Sequence, residues 1–331
     1  MKRLLPLVLL GLLACTLPLV GSQDAAPTEV PTFIPTASLP EAKLGTEKNP
    51  LILALGPSTQ PKPDVLAAGK TLTSLLEKAT GDKFVSVIPP DETELVKAFG
   101  MKNAHIGVLS PAGYLLASGQ GYVEAAFSRQ QAGNIFYGAQ FIVRNDAGFI
   151  PYFDPIKDEN SENASIALAQ FNDKKPCWTD EHSPSGYIVP LGFLNNAGVQ
   201  TRTPAFLASH PAVVRAIYAG GICDFGVTYI DARAYPGLED EYPDVLKKVV
   251  VIWRIPPIIP YDSLVFIHGM DEDQRRSLIR AFVDIMATEQ GKGAMQTLYG
   301  FDAMQVVQDS QYEDFRKAVK SSGLDISTLL K

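Results

Sequence analysis

The chain has 331 residues, of which 46% are hydrophobic and 20% are charged, so it can bury a substantial core like an ordinary globular protein. Its 29 basic and 36 acidic side chains give a net charge of −7. This acidic balance, without any run of basic residues, argues against a nucleic-acid partner. Beyond the N-terminal region, no stretch is apolar for long enough to cross a bilayer as a helix.

The N-terminal residues have the features of an export signal. Lys2 and Arg3 precede an apolar stretch over residues 4–14, which is too short to span a bilayer but suits a signal-peptide core. The stretch ends in Leu-Leu-Ala-Cys, which resembles a bacterial lipobox. We therefore predict a lipoprotein signal peptide over residues 1–15 and a lipid on Cys15. The alternative is ordinary cleavage near Gly21 and a secreted product; in both cases the mature chain works outside the cytoplasm.

Residues 16–49 predict a tether rather than part of a core. They contain prolines among Thr, Ser and Ala and almost no sustained apolar periodicity; the prolines are Pro18, Pro27, Pro31, Pro35 and Pro40. Such a composition is typical of an extended, semi-rigid spacer. A lipid anchor followed by a spacer would hold a globular body near a membrane surface, where its partner would lie.

Three cysteines occur in the chain. If Cys15 carries the lipid, Cys177 and Cys223 remain in an exported protein, where a disulfide can persist. Both lie in short apolar stretches, so two buried free thiols are the alternative. The chain has four histidines and neither a Cys-x-x-Cys nor a His-Glu-x-x-His motif, so a zinc site has no support and we expect no cofactor or metal.

Strand-like and helix-like segments alternate in the first part of the body. Apolar runs predict strands, and apolar residues at helical spacing, ended by Gly81 and Gly100, predict helices. The predicted strands are 51–55, 84–88 and 105–109, and the helices 65–79 and 91–99. This order indicates an open α/β sheet, in which ligands sit beyond the carboxyl ends of the strands, here at loops 56–60 and 110–114.

A second set of segments predicts another sheet. Its strands are 137–144, 176–179, 222–227 and 249–253, with helices at 164–171, at 187–196 and through 213–218. A Pro- and Ile-rich crossing segment at 255–260, strand 263–268, a helix capped by Asp271 and two short helices complete the chain. The order predicts one lobe, residues 50–136 and 255–331, interrupted by a second lobe, residues 137–254.

Residues 180–187, Asp-Glu-His-Ser-Pro-Ser-Gly-Tyr, mark the point where a polar loop passes into an apolar periodic run. Two hydroxyls and several backbone N–H groups could converge there at a helix start, where unpaired N–H groups and the helix dipole favour an anion. The sequence therefore predicts an anion cradle. An ordinary capped helix remains the alternative.

Four stretches share their order and spacing with one protein family. They are Leu-Ser-Pro-Ala-Gly-Tyr at 109–114, Tyr-Gly-Ala-Gln-Phe-Ile-Val-Arg at 137–144, the 180–190 motif, and Ser-His-Pro-Ala-Val-Val-Arg-Ala at 209–216 followed by Gly-Ile-Cys-Asp at 221–224. In these stretches the chain resembles the phosphate-, phosphite- and phosphonate-binding proteins of ABC importers. The resemblance implies a type II periplasmic-binding-protein fold, an α/β fold whose two lobes close on a small oxyanion and deliver it to a membrane permease. We expect a monomer without catalytic activity.

The resemblance also implies a set of anion-binding residues in the second lobe. Carried over by position, Ser183 and Ser185 hold the phosphoryl-type oxygens, together with the backbone N–H groups of Gly186 and Tyr187. Because a buried oxyanion needs directed hydrogen-bond donors more than a full countercharge, uncharged donors suffice.

Further positions come from the same resemblance. Tyr114 would reach across from the first lobe, and Ser58 and Thr59 would complete the first-lobe wall. His210 would donate to the anion or to its substituent. Asp224 would orient His210, or accept from a protonated oxygen or an amine of the ligand.

The chain departs from the family pattern in the cradle itself. Pro184 stands where the family usually has Thr, which removes one hydroxyl and one N–H, while Ala139 and Glu181 replace a usual Ser and Pro. These losses put the standard phosphonate contacts in doubt, and His182 is a candidate replacement donor.

Two other functions use the same residues. A sensor subunit would present the ligand to a membrane kinase. A secreted serine hydrolase would use Ser183 or Ser185 with His210 and Asp224, although Gly-x-Ser-x-Gly is absent.

Overall fold

The computed structural model of the protein describes residues 43–330. The predicted signal peptide with Cys15, and most of the predicted tether, lie outside these residues. The end of the predicted tether, residues 43–49, is attached to the body. The Lys83 N–H donates to the carbonyl of Gly45 at 2.8 Å, and the Gln274 side chain donates to the carbonyl of Leu44 at 3.0 Å. The globular part therefore begins before residue 50.

A first sheet is built from both ends of the described chain. Its strands, numbered in chain order, are β1 (Leu51–Ala54), β2 (Phe84–Val87), β3 (Ile106–Leu109), β4 (Val123–Arg129), β12 (Ser263–Ile267) and β13 (Met304–Val306). They lie in the order β13-β4-β12-β3-β1-β2. Strand β1 is parallel to β2 and β3, and β12 is antiparallel to β3 and β4.

A second sheet is built from the middle of the chain. Its strands are β5 (Phe136–Arg144), β8 (Pro176–Trp178), β9 (Ala205–Phe206), β10 (Phe225–Tyr229) and β11 (Val249–Pro260), in the order β11-β5-β10-β8-β9. A small hairpin of β6 (Phe153–Asp154) and β7 (Glu159–Asn160) lies outside it. The strands of the second sheet thus all lie between β4 and β12 of the first sheet in the chain.

Helices cover the sheets. They are α1 (Pro63–Thr80), α2 (Glu92–Gly100), α3 (Pro111–Gly119), α4 (Ala164–Leu168), α5 (Val189–Asn196), α6 (His210–Ala219), α7 (Leu238–Glu241), α8 (Val245–Lys248), α9 (Glu272–Met286), α10 (Glu289–Tyr299) and α11 (Glu313–Ser322). The side chains of Asp91, Ser110, Ser209 and Asp271 each accept an N–H from the first turn that follows. Of the helices within residues 43–330, none combines the length and the apolar character needed to span a membrane.

The chain crosses between the two sheets at residues 130–135 and again at 261–262. Strand β11 continues to Pro260, which pairs with Phe136 of β5 after an irregularity between Ile255 and Ile259. The sequence predicted a return to the first lobe near residue 255. The return occurs later because the Pro- and Ile-rich segment still pairs with β5.

The C-terminal helix α11 packs against α5, a helix that lies between β8 and β9 of the second sheet in the chain. The two backbones approach so closely that a Cβ on Gly192 would lie 2.1 Å from the carbonyl oxygen of Ala318. The Asn195 side chain donates to the carbonyl of Ser321 at 3.0 Å. The sequence assigned all of residues 255–331 to the first lobe, and this helix departs from that assignment. Helical periodicity identifies an apolar face but not the surface that covers it.

Cys177 of β8 and Cys223, just before β10, are joined by a disulfide. The sequence left the bridge and two free thiols as alternatives, and the structure contains the bridge. It connects two neighbouring parallel strands at their amino-terminal ends.

Candidate functional site

The motif at residues 180–187 forms a short helical turn at the carboxyl edge of the second sheet. Strand β8 ends at Trp178, and a π-helical turn, Pro184–Ile188, then leads directly into α5. Ser183 caps this turn, since its hydroxyl oxygen accepts the N–H of Gly186 at 3.0 Å. The predicted helix start is therefore present, with an unusual first turn.

Close packing explains the glycine in this turn. A Cβ on Gly186 would lie 2.0 Å from the hydroxyl oxygen of Thr179, so the turn can rest on β8 only because residue 186 has no side chain. The Thr179 hydroxyl is itself buried and has no hydrogen-bond partner within residues 43–330. A buried polar group without a partner is rare, and it marks this edge for a ligand or a water molecule.

The cradle differs from its prediction in its backbone donors. The N–H of Gly186 is taken by the Ser183 hydroxyl, and the N–H of Tyr187 donates to the carbonyl of Ser183 at 3.1 Å. Neither N–H is available to an anion in this geometry, because the π-helical turn satisfies both internally. The Ser183 and Ser185 side chains, which are 8% and 2% exposed, remain as hydroxyl donors.

His210 lies at the same edge, at the start of α6. Its Nδ1 accepts the N–H of Tyr229 at 3.2 Å, and its ring packs against the Tyr229 ring at 4.6 Å between centroids. Burial lowers the pKa of His210 to about 4, against the weaker opposing effect of Asp180. The imidazole is therefore neutral near pH 7 and carries its proton on Nε2, which becomes a donor. We call Ser183, Ser185 and His210 the donor collar.

Tyr137 of β5 lies next to the donor collar, a position that the sequence did not predict. Its hydroxyl interacts with the Ser185 side chain, and burial raises the pKa of Tyr137 to about 12. Its ring stacks on Tyr261 with centroids 5.0 Å apart. The signal in the sequence was an aromatic residue near the start of a strand antiparallel to β10, because such a position lies at the carboxyl edge of β10.

The first lobe presents carboxylates at the carboxyl ends of β1 and β3. Glu92 accepts from the Ser110 N–H at 2.6 Å and from the Ser110 hydroxyl at 2.9 Å. Burial raises the pKa of Glu92 and that of Asp262. The charge of Asp262 raises the pKa of Glu92 further, whereas the charge of Arg129 lowers the pKa of Asp262. Both residues line a cavity of about 510 Å³ with Gly56 and Tyr299. We call Glu92, Ser110 and Asp262 the carboxylate wall.

The donor collar and the carboxylate wall are neighbours. Tyr137 interacts with Ser185 on one side, and the charge of Asp262 raises the pKa of Tyr137 from the other. The charge of Asp262 also raises the pKa of Glu92. The charge of Asp262 thus acts both on Glu92 of the carboxylate wall and on Tyr137 beside the donor collar.

Ser58 and Thr59 lie in the loop next to this wall. The Ser58 N–H donates to the carbonyl of Pro89 at 2.9 Å, and its hydroxyl oxygen accepts the N–H of Gln60 at 3.2 Å. Thr59 is exposed to solvent. Their neighbours Gly56 and Pro57 line the cavity of the carboxylate wall, whereas the two hydroxyl residues are not among its lining residues.

Tyr114 does not reach across the cleft as predicted. It is fully buried in the first turn of α3, where its hydroxyl donates to Asp309 at 2.5 Å and its ring lies 4.5 Å from that of Tyr312. Burial and the Asp309 carboxylate both raise the pKa of Tyr114 above its usual value. The sequence placed Tyr114 at the end of a loop, whereas it lies in α3 and its hydrogen-bond partner comes from the far end of the chain.

Asp224 lies at the opposite edge of the second sheet from the donor collar. Its carboxylate accepts the N–H of Lys175 at 2.7 Å and pairs with Arg202 at 3.2 Å. Strand β10 begins at Phe225, three residues later than predicted, so Asp224 precedes the strand rather than lying within it. Asp224 therefore does not orient His210, and the Ser–His–Asp triad of the hydrolase alternative is not assembled.

Comparisons with known proteins agree with this architecture. The model of the family of ABC transporter, phosphonate, periplasmic substrate-binding proteins matches residues 56–312. The chain belongs to this family. The Phosphate-import protein PhnD of Mycolicibacterium smegmatis is 26% identical over 176 residues, which cover 50% of this chain and 51% of that protein. The match thus spans about half the length of this relative.

Solved structures share the fold at low sequence identity. The structure of XAC2383 from Xanthomonas citri bound to ATP has a TM-score of 0.57 and 13% identity, covering 82% of this chain and 96% of that one. PhnD1 from Prochlorococcus marinus in complex with methylphosphonate has a TM-score of 0.50 and 16% identity, covering 83% and 99%. The predicted type II periplasmic-binding-protein fold is confirmed.

Proposed function

We propose that the protein is an extracytoplasmic solute-binding protein of an ABC importer and that it binds a small phosphorus oxyanion between its lobes. The observation that carries the proposal is the donor collar, since buried Ser183, buried Ser185 and neutral His210 all lie at the carboxyl edge of the second sheet. Oxyanions have many lone pairs, and directed donors in a buried place satisfy them without a formal countercharge. The family and a phosphate-import relative support the same ligand class.

The carboxylate wall restricts the ligand further. An ionised Glu92 or Asp262 would repel a fully deprotonated anion, whereas a carboxyl with a raised pKa can carry a proton and donate it. We therefore expect the ligand to retain a proton or a substituent on the side that faces the first lobe. Phosphite, hydrogen phosphate and a phosphonate monoanion all meet this condition.

Calorimetric titration of the purified protein with phosphate, phosphite and methylphosphonate tests the proposal, with sulfate as the fully deprotonated comparison. We expect one-to-one binding of at least one phosphorus anion and weaker binding of sulfate. In Ser185→Ala the affinity should fall about tenfold to a hundredfold, because a hydrogen bond to a charged group contributes about 1.5–3 kcal/mol. The control variant is Ser74→Ala, an exposed serine on α1. Absence of binding to all three phosphorus anions would refute the proposal.

The membrane attachment and the partner belong to the same proposal. Residues 1–15 act as a lipoprotein signal, residues 16–42 hold the body near the membrane, and the permease of the importer receives the ligand when the lobes open. Cys15→Ser is expected to release the protein from the membrane fraction and to abolish incorporation of a labelled fatty acid. Unchanged labelling would exclude Cys15 as the attachment point.

A further inference from the structure

A second cavity lies beside the donor collar, along the edge of β11. It has a volume of about 860 Å³, within the range of about 300–1,000 Å³ that is usual for small-molecule sites. Aromatic side chains dominate its wall: Phe136, Tyr137, Phe153, Phe193, Trp253 and Tyr261.

This aromatic cavity and the donor collar have one side chain as a common neighbour. The Tyr137 ring lines the cavity and stacks on Tyr261, while the Tyr137 hydroxyl interacts with Ser185. A group attached to an anion at Ser185 therefore has the Tyr137 ring as its next neighbour.

The polar groups of the cavity are mostly satisfied by the protein. The indole N–H of Trp253 donates to the carbonyl of Glu162 at 2.9 Å, and the Trp253 ring lies 5.6 Å from that of Phe193. These two rings can therefore contact an occupant only through apolar surface. Such surface favours an aromatic or aliphatic group, and aromatic rings gain additionally from edge-to-face and offset contacts.

The charges on the wall cancel. Arg254 and Asp158 are the charged residues that line the aromatic cavity, and they form an ion pair with each other. The Arg254 guanidinium also lies 3.5 Å from Asp231 and 4.1 Å above the Phe153 ring. Two carboxylates therefore balance the charge of this arginine, while its Nε–H is buried without a hydrogen-bond partner within residues 43–330.

We propose that the aromatic cavity receives the organic substituent of the bound anion, and that the ligand class is a phosphonate with an uncharged aromatic substituent. This inference rests on the proposed function, since the phosphorus group itself occupies the donor collar. It predicts that affinity rises with the size of an apolar substituent, whereas the collar alone would treat small and large phosphonates equally.

Methylphosphonate, phenylphosphonate and 4-carboxyphenylphosphonate are the probes for a calorimetric titration of the full chain. We expect phenylphosphonate to bind at least about tenfold more tightly than methylphosphonate, because the ring buries apolar surface. The charged 4-carboxyphenylphosphonate should bind more weakly than phenylphosphonate. If phenylphosphonate binds no more tightly than methylphosphonate, the inference is wrong while the proposed function stands. If no phosphorus anion binds, both fail.

A variant that fills the cavity isolates its contribution. Ala164 lines the aromatic cavity from α4 and is partly exposed, so Ala164→Phe should reduce the affinity for phenylphosphonate about tenfold and change that for methylphosphonate less than about twofold. The matched control is Ala67→Phe on the exposed face of α1. An equal loss for both phosphonates in Ala164→Phe would overturn the assignment.

Tryptophan fluorescence gives a readout that does not depend on a folded Ala164→Phe variant. Phenylphosphonate should change the emission of the protein beyond the change that methylphosphonate produces, because its ring would lie near Trp253. In Trp253→Phe this additional change should disappear. Its persistence in that variant would place the ring elsewhere and refute the proposal.

Discussion

The two walls of the candidate site use opposite chemistry. The donor collar in the second lobe consists of uncharged donors: Ser183 caps the turn Pro184–Ile188, Ser185 lies within it, and His210 begins α6. The carboxylate wall in the first lobe consists of acidic side chains from distant parts of the chain, Glu92 and Asp262. Donors and carboxylates on opposite sides of one ligand would give selectivity through its state of protonation, because an anion that fits the collar would also have to be tolerated by the wall.

The largest effect is expected where the donor collar rests on its strand. Gly186→Ala places a Cβ 2.0 Å from the Thr179 hydroxyl, so the turn must move away from β8. We expect a loss of about 1–3 kcal/mol in the free energy of unfolding, measured by urea denaturation, together with loss of anion binding. Gly293→Ala is the matched control, because a Cβ there meets open space on α10. Equal stability of the two variants would contradict this packing.

The neutral state of His210 predicts a dependence of stability on pH. Its pKa is about 4 in the folded protein and near 6.5 when unfolded, so its contribution is present above pH 6.5 and is lost as the pH falls towards 4. The full difference corresponds to at most about 3 kcal/mol, and partial exposure of the ring reduces it. His210→Gln should therefore lose less stability than the wild type between pH 7 and 4.5. Parallel pH profiles by urea denaturation would show that the imidazole does not titrate as described.

The carboxylate wall should make anion binding weaker as the pH rises, whereas His210 makes the fold less stable as the pH falls. Because burial raises the pKa of Glu92, its carboxyl is protonated most at low pH and loses this proton as the pH rises above 4.5. The affinity of the wild type for methylphosphonate should fall over this rise, and Glu92→Gln should reduce the fall by a factor of about two to ten. Calorimetry of both proteins between pH 5 and 8 with one ligand cancels the ionisation of the ligand. The same pH dependence in both would exclude Glu92.

The smallest effects on affinity are expected at the two residues that lie apart from the walls. Tyr114→Phe removes the hydrogen bond to Asp309 and should reduce stability by about 1–3 kcal/mol, while the anion affinity changes less than about twofold. Asp224→Asn should leave the affinity similarly unchanged, because Asp224 lies at the other edge of the second sheet. A tenfold loss of affinity in either variant would show that the residue takes part in binding, as the resemblance implied.

Local order in the chain was readable from the sequence. Strands β1 to β3, the helices between them and the capped turn after Ser183 depend on residues within a few positions of one another, such as Gly81 at the end of α1 and Asp91 at the start of α2. Capping, turn chemistry and apolar periodicity act over this range, and the family resemblance supplied the order of the two lobes.

The site was predicted only in part, for a reason visible at single residues. Ser183, Ser185 and His210 lie at the carboxyl edge of the second sheet because each follows one of its strands. Tyr137 was missed because its place depends on the antiparallel register of β5 with β10. Asp224 was expected inside a strand, whereas β10 begins after it and leaves it at the amino-terminal edge of the sheet.

The sequence alone determined the α/β class and the hydroxyl-rich turn, because local backbone preferences and apolar spacing set these features. Tertiary structure alone decided which surface α11 covers, that Tyr114 bonds to Asp309, and that Glu92 and Asp262 share one wall. These outcomes depend on contacts between residues more than a hundred positions apart, where packing of whole elements chooses the partner and no local pattern records the choice.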